Sequence, residues 1–140
     1  MKTYKKFELV AESVEKYEGS PLISPDAVAN FIKPHYGKQI NTIEKFFAIY
    51  VDVSLKPIGV QLIGQGGLAA TLVDTKIVFK GAVESCANGV IISHNHPTGQ
   101  LKPSRADHDL TEKIRNGLAT LEIELHDHLI VTEDGHFSLR

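Results

Sequence analysis

The sequence predicts an α/β protein in three layers, with helices on both faces of a mixed central sheet. Apolar, β-branched segments with strand character alternate along the chain with segments whose apolar residues recur at helical spacing. One pair of strand-like segments is separated only by a short turn, which indicates a hairpin. Elements that alternate in this way are typical of an α/β/α arrangement, because each helix covers a face of the sheet.

The N-terminal residues mix polar and apolar side chains without a clear helical period. Phe7 and Leu9 stand at strand spacing, so a short strand over residues 4–10 is predicted, followed by a polar connector. We expect residues 1–20 to form an arm that docks on the domain or on a partner, and residues 21–140 to form one domain. A chain of 140 residues can bury one substantial core, but it is short for two domains.

The first helix is predicted to begin after Ser24, because serine is a good N-cap and Pro25 suits the first helical position. Asp26 adds an acid to the first turn. The apolar face of this helix consists of Ala27, Val28, Phe31 and Ile32. Pro34 is expected to end the helix, since a proline inside a helix removes a backbone hydrogen bond.

Residues 44–53 and 58–63 are predicted to pair as a hairpin, with Ser54-Leu55-Lys56-Pro57 as the turn. The glycine-rich residues 64–67 then form a loop or a bulge. They are weak evidence for phosphate binding, because they lack the Lys-Ser/Thr pair of a P-loop and no dinucleotide fingerprint follows.

Asp74 is predicted to cap a second helix over residues 75–87, with Gly89 at the expected C-terminal glycine position. The predicted buried face of this helix consists of Val78, Phe79, Ala82 and Val83. Cys86 is the single cysteine and is expected to pack within the helix as a small hydrophobe. One cysteine excludes an internal disulfide and is compatible with a reducing compartment.

Three further elements complete the predicted domain after a buried strand over residues 89–93. A helix runs from Ser104 to about Leu121, and residues 121–131 form the last core strand. A turn at Glu133-Asp134-Gly135 leads to a short strand over residues 136–139.

The composition is that of an ordinary globular protein, with 42% hydrophobic and 23% charged residues. The net charge of −2 does not favour a broad nucleic-acid-binding face. No stretch has the length and apolarity of a membrane span, and no secretory apolar core follows the N-terminus. A cytoplasmic location is therefore expected.

Two histidines follow the buried strand, separated by a single residue. Because side chains alternate faces along a strand, His94 and His96 project to the same side and Asn95 points away. Pro97 and Gly99 end the strand. Taken alone, such a pair is compatible with a metal site and also with a structural role.

A carboxylate follows in the first turn of the next predicted helix. Ser104 is placed as the N-cap and Asp107 at the third helical position. The two residues are compatible with a capping box in which Asp replaces Glu, and equally with a carboxylate aimed back at the histidines. Asp109 is the competing carboxylate. Two histidines and one aspartate would leave one position of a tetrahedral zinc ion open, which is the catalytic pattern.

The spacing of His94, His96, Ser104 and Asp107 resembles the JAMM signature of the JAB/MPN+ metalloprotease family. The runs His-Asn-His-Pro-Thr-Gly and Pro-Ser-Arg-Ala-Asp resemble the RadC branch, and the likeness extends from about Ser24 to the C-terminus. The resemblance implies a JAB/MPN fold, which is cytidine-deaminase-like. It also implies that His94, His96 and Asp107 bind a zinc ion (Zn²⁺).

Two further roles are implied by the same resemblance. Ser104 would help to stabilise the oxyanion, and Glu44, just before the first core strand, would be the general base. A solvated acid at a strand end is the alternative for Glu44. RadC-like chains usually carry a Gly-Thr pair where this chain has Gly66-Gly67, which leaves a substrate contact at that loop in doubt.

A second His-x-His sequence, His126-Asp127-His128, is a rival metal pair in the last core strand. No helix-start carboxylate follows it at matching spacing, and the resemblance places Asp127 and His128 near the site without binding the ion. We expect them to form a buried, hydrogen-bonded pair that orients the site. His35 and His108 are expected at the surface.

Three functions are compatible with these residues. The favoured one is a zinc-dependent hydrolase that attacks a peptide or isopeptide bond of a peptide or protein substrate. A DNA-repair-associated or mobile-element-associated DNA-processing protein is the second, implied by the RadC likeness and not supported by the charge. The third is a non-catalytic MPN scaffold, which the presence of every ligand and of Glu44 disfavours.

Overall fold

The computed structural model describes residues 2–8, 10–66 and 73–140. In chain order, the elements of these residues are α1 (Pro25–Tyr36), a 3-10 helix (Gly37–Asn41), β1 (Lys45–Val51), β2 (Pro57–Gln65), α2 (Thr75–Glu84), β3 (Gly89–Asn95), α3 (Arg105–Thr120), β4 (Glu124–Val131) and β5 (His136–Ser138). One mixed sheet has α1 on one face and α2 and α3 on the other. The predicted α/β class is confirmed. No described helix is both long enough and apolar enough to cross a membrane.

The strand order of the sheet is β2-β1-β3-β4-β5. β1 pairs antiparallel with β2 and with β3, and β4 pairs antiparallel with β5. Only β3 and β4 are parallel, and α3 supplies the crossover that a parallel pair requires. The C-terminal end of β3 therefore lies between the start of β1 and the end of β4. The first turn of α3 lies next to it, since His94 and Asp107 are in contact.

Each face of the sheet carries its own apolar core, because side chains alternate along the central strands. Phe46, Ala48 and Tyr50 of β1 face α2 and α3. The residues of β1 that face α1 are Phe47, Ile49 and Val51. Since both faces are buried, the central strands are almost continuously apolar, which made them easy to predict.

A bulge in β4 decides which of its side chains reach the α3 face. The pairing of β4 with β3 skips His126. A skipped residue shifts the alternation by one position, so Leu125 and His128, three residues apart, lie on the same face. His128 is thereby turned toward α3, whereas Asp127 points to the face that carries α1.

Helix α1 continues through Pro34, so the prediction that this proline ends the helix is wrong. The proline has no N–H to donate a helical hydrogen bond to the Asn30 carbonyl. Asn30 is exposed, so water can hydrogen-bond to that carbonyl instead. Tyr36, only 1% exposed, packs in the core and stabilises the last turn. The helix ends where Gly37 takes a positive φ of 60°.

Helix α2 begins after its Asp74 cap as predicted, but it ends at Glu84 and not at residue 87. Cys86 takes a left-handed φ of 56°, and the N–H of Ala87 donates to the Ala82 carbonyl at 3.0 Å, which closes a Schellman turn. Cys86 thus occupies the left-handed position after the helix that the prediction gave to Gly89. Ala87 is buried, so the core fixes the turn.

Three residues near the end of α2 therefore differ from their predicted environments. Cys86 is exposed and lies beyond the helix. Gly89 is the first residue of β3 and not a helix terminus. Val83, expected on the buried face, is 52% exposed, because α2 buries only a narrow stripe against the sheet and α3.

The strand predicted over residues 4–10 is not found among the described residues of that range. Tyr4 and Phe7 are 94% and 84% exposed, and a strand needs a hydrogen-bonded partner to be stable. Leu9 lies outside the described residues, as does Gly67 of the predicted glycine-rich loop. The role and boundary of the arm stay predictions.

Candidate metal centre

Three side chains converge at the C-terminal end of β3 and the first turn of α3. The Nε2 atoms of His94 and His96 lie 2.9 Å apart. Oδ1 of Asp107 is 3.5 Å from Nε2 of His94, and Oδ2 is 3.7 Å from Nε2 of His96. The structure thus brings together the three residues that the sequence assigned as ligands.

The chemistry and spacing of these atoms suit a small divalent cation. Imidazole nitrogen and carboxylate oxygen are both zinc ligands, with bonds of about 2.0–2.2 Å. In a tetrahedral arrangement such ligand atoms stand roughly 3.3–3.4 Å from one another. The two Nε2 atoms are 2.9 Å apart, and each lies 3.5 or 3.7 Å from the nearer oxygen of Asp107. With one ligand atom per residue, all three atoms lie within 4.8 Å of one another. His94, His96 and Asp107 could therefore hold a divalent metal ion.

The opposite ring nitrogens of the two histidines are both engaged. Nδ1 of His96 donates to the carbonyl oxygen of Gln100 at 2.8 Å, which turns its Nε2 toward the site. Nδ1 of His94 lies 2.7 Å from Nε2 of His128, which is buried. Partners of this kind fix the ring orientation of metal-binding histidines.

Asp107 closes a capping box and faces the histidines at the same time. The Ser104 N–H donates to Oδ2 of Asp107 at 2.8 Å, and the Asp107 N–H donates to the Ser104 hydroxyl oxygen at 3.0 Å. Both interpretations of Asp107 are therefore correct: it closes the capping box, and its carboxylate faces the histidines. Asp109, the competing carboxylate, is exposed on α3 and does not join the cluster.

The charges of the cluster depend on burial and on its own hydrogen bonds. Burial lowers the pKa of His94 to about 4, against the attraction of Asp107. The hydrogen bond to Asp107 raises the pKa of His96. Burial by itself would raise the pKa of Asp107, but hydrogen bonds from His96 and Ser104 hold it well below its usual range. The carboxylate is therefore ionised and His94 is neutral near pH 7.

Glu44 stands immediately before β1, at the edge of this cluster. Partial burial raises its pKa, and its carboxyl group is near enough to be influenced by the charges of His96 and Asp107. Its backbone is held from both sides by Asn95. The Asn95 side chain accepts from the Lys45 N–H at 2.7 Å and donates to the Ile43 carbonyl at 2.9 Å.

Asn95 is a site residue whose part the sequence analysis missed. It was expected only to point away from the histidines, yet its fully buried amide also donates to the Ile40 carbonyl at 2.9 Å. It thus links the His-x-His sequence to the segment that carries Glu44. The available signal was an asparagine between the two histidines, at the end of a buried strand, where a polar side chain requires partners.

The rival pair does not form a second metal site among the described residues. His128 joins His94, whereas His126 sits at the bulge beside Glu124, with 3.8 Å between Nδ1 and Oε2. Asp127 accepts from the Ser138 hydroxyl at 2.7 Å on the opposite face. The expectation of a buried group near the site holds for His128. Asp127 does not face the cluster, because consecutive residues of a strand point to opposite faces.

Comparison with known proteins supports the motif-based resemblance. The family model described as "RadC-like JAB domain" matches residues 22–140. A UPF0758 protein of Flavobacterium johnsoniae is 41% identical over 95 residues, which cover 68% of this chain and 42% of that protein. A UPF0758 protein of Symbiobacterium thermophilum is 36% identical over 119 residues, covering 85% and 50%, respectively.

A third relative, a UPF0758 protein of Trichodesmium erythraeum, is 38% identical over 117 residues, covering 84% of this chain and 47% of that protein. The chain spans about half the length of the curated relatives it matches. The family match covers both sides of the sheet and all the residues of the metal centre. On this match, the chain belongs to the RadC-like JAB domain family.

Proposed function

We propose that this protein is a zinc-dependent hydrolase of peptide or isopeptide bonds. The observation that carries the proposal is the convergence of His94, His96 and Asp107, whose ligand atoms all lie within 4.8 Å of one another. These three side chains would hold the ion. The charges of His96 and Asp107 also act on the carboxyl group of Glu44. When bound, zinc supplies a Lewis acid that lowers the pKa of a water molecule and polarises the substrate carbonyl.

Glu44 is proposed as the general base. Its raised pKa keeps a carboxylate of increased basicity beside His96 and Asp107. The carboxylate takes a proton from the attacking water, and the resulting acid delivers that proton to the nitrogen of the leaving amine. Asn95, which lies between the two histidines in sequence, holds the main chain on both sides of Glu44.

Ser104 is proposed to stabilise the negative charge that develops on the substrate carbonyl oxygen. Its hydroxyl oxygen accepts from the Asp107 N–H, which leaves the hydroxyl hydrogen free to donate. The residue is exposed, so a substrate can reach it. A peptide or protein is the proposed substrate, and the cytoplasm, with its reducing conditions, is the proposed location.

Glu44→Gln is the variant that tests the proposal. It should retain zinc, because Glu44 is not a ligand, and should lose about 10²- to 10⁴-fold in turnover, the usual contribution of a general base. Turnover is measured on a panel of quenched fluorescent peptides and isopeptide-linked peptides with the zinc-loaded protein. Zinc content of the same samples is measured by elemental analysis.

Glu18→Gln, an exposed change in the N-terminal arm, is the matched control and should keep both zinc and turnover. Hydrolysis that persists unchanged in Glu44→Gln would assign the base to another residue. Absence of turnover by the zinc-loaded wild-type protein across the panel would contradict the proposed hydrolase.

A further inference from the structure

A chain of buried hydrogen bonds connects His94 with helix α3. Nδ1 of His94 lies 2.7 Å from Nε2 of His128, and Nδ1 of His128 lies 2.6 Å from the Thr111 hydroxyl. The Thr111 hydroxyl in turn lies 2.7 Å from the main-chain carbonyl of Asp107. His128 and Thr111 are 1% and 4% exposed, so solvent does not compete for these contacts.

The hydrogens of this chain follow from its last member. A carbonyl oxygen only accepts, so Thr111 donates its single hydroxyl hydrogen to Asp107. The Thr111 oxygen then accepts from Nδ1–H of His128. A neutral imidazole carries one hydrogen, which makes Nε2 of His128 an acceptor, and the donor to it is Nδ1–H of His94.

We propose that Thr111 and His128 are positioning residues that hold His94 in its Nδ1–H tautomer, so that the Nε2 lone pair faces the metal centre. The inference rests on the proposed metal site. A metal-binding histidine commonly donates its other N–H to a carboxylate, a carbonyl or water. Here a second histidine accepts that hydrogen, and a threonine determines which of its nitrogens can do so.

This chain of hydrogen bonds also joins two of the proposed ligands, His94 and Asp107, to each other. It begins at the ring of His94 at the end of β3, and it ends at the backbone of Asp107 in the first turn of α3. A change in the tautomer of His94 would therefore require Thr111 to release the Asp107 carbonyl. The bulge in β4 makes this connection possible, because it turns His128 toward α3.

Thr111→Val, which keeps the shape of the side chain and removes the hydroxyl, tests the inference. Nitrogen-15 NMR of labelled histidines in the metal-free protein distinguishes a ring nitrogen that carries hydrogen from one that does not. We expect the wild-type His94 to carry hydrogen on Nδ1 and the Thr111→Val variant to lose that preference. Zinc affinity, measured by competition with a chelator, should fall about 10- to 100-fold.

Thr111→Ser should restore the wild-type spectrum and affinity, and Thr120→Val, at an exposed threonine of α3, should change neither. Hydrogen on Nε2 of His94 in the metal-free wild type would overturn the inference, even if Thr111→Val fails to fold. Zinc binding that is unaffected by Thr111→Val would overturn it while leaving the metal site standing. A Thr111-dependent Nδ1–H tautomer in a protein that binds no zinc would refute the metal site, and with it the positioning role, while leaving the hydrogen-bond chain standing.

Discussion

At the scale of single residues, Asp107 combines two tasks that the sequence presents as alternatives. The division is possible because a carboxylate has two oxygens. Oδ2 accepts the Ser104 N–H and completes the capping box, while Oδ1 is the oxygen nearer to His94. The motif spacing predicted which residues meet, since a strand end and the next helix start are close in this fold. It could not predict the hydrogen-bond partners, which come from elements distant in sequence.

Zinc affinity is expected to fall on acidification because a proton competes for Nε2 of His96. Asp107 raises the pKa of His96 by hydrogen bonding and by its charge, and Glu44 adds to the increase. His96 therefore holds its proton to a higher pH than an ordinary histidine. Since burial lowers the pKa of His94 to about 4, that residue adds no second proton above about pH 5.

Below the raised pKa of His96, displacement of one proton predicts about a tenfold loss of affinity per pH unit, with a plateau above it. Chelator competition between about pH 5.5 and 8 measures this slope. His35→Ala, at an exposed histidine, should give the same curve. An affinity that does not vary with pH, or that rises on acidification, would contradict the assignment of His96 as a ligand.

At the scale of elements, helix starts were predicted better than helix ends. The starts of α1, α2 and α3 carry local caps, Ser24, Asp74 and Ser104, whose side chains bond to nearby N–H groups. The ends depend on packing that no local pattern records. Tyr36 extends α1 past a proline, and the burial of Ala87 closes α2 early.

The bulge in β4 likewise left no mark in the sequence. Most of this strand is buried on both faces, so no regular alternation of polar and apolar side chains marks its register. Asp127 and His128 were predicted to act together, whereas consecutive strand residues point to opposite faces. The bulge decides that His128, and not Asp127, is the one turned toward α3. The strands themselves were predictable, but the register that brings His128 to His94 required the folded structure.

Asn95→Ala should destabilise the start of β1 and its loop. The substitution leaves the Lys45 N–H and the Ile40 and Ile43 carbonyls without their partner. Each buried group that loses its hydrogen bond lowers the free energy of unfolding by up to about 1–3 kcal/mol. Because these three groups are only partly buried, we expect a total loss of about 2–4 kcal/mol. Urea unfolding measures it.

The control is Asn116→Ala, at an exposed asparagine of α3, which should change the free energy of unfolding by about 0.5 kcal/mol or less. A loss under about 1 kcal/mol for Asn95→Ala would show that the three contacts do not hold this segment.

At the scale of the whole molecule, the proposed ligands come from a strand of the sheet and from the crossover helix that follows it. β3 belongs to the sheet, whereas α3 packs across its face. An ion held by His94, His96 and Asp107 would tie the helix to the sheet. Because the unfolded chain lacks this arrangement, binding of the ion must stabilise the folded state.

The alternation of strands and helices predicted the layers of the molecule, and the hairpin predicted that the sheet is mixed. The order of the strands was not predictable in the same way, because it depends on how β1 inserts between β2 and β3. The N-terminal strand was predicted wrongly among the described residues. The spacing of Phe7 and Leu9 is that of a strand, but no strand of the sheet pairs with the described residues of this range.

The measurement that tests the central claim most directly is thermal unfolding of the metal-free protein during a zinc titration, with the bound zinc counted by elemental analysis. One zinc per chain should bind and raise the unfolding temperature, with about 2.7 kcal/mol of stabilisation at free zinc 100 times the Kd. The His94→Ala, His96→Ala double variant should neither bind the ion nor respond to it. The double variant His35→Ala, His108→Ala, at two exposed histidines, should respond as the wild type does. An equal response of the ligand variant and the wild type would contradict the account.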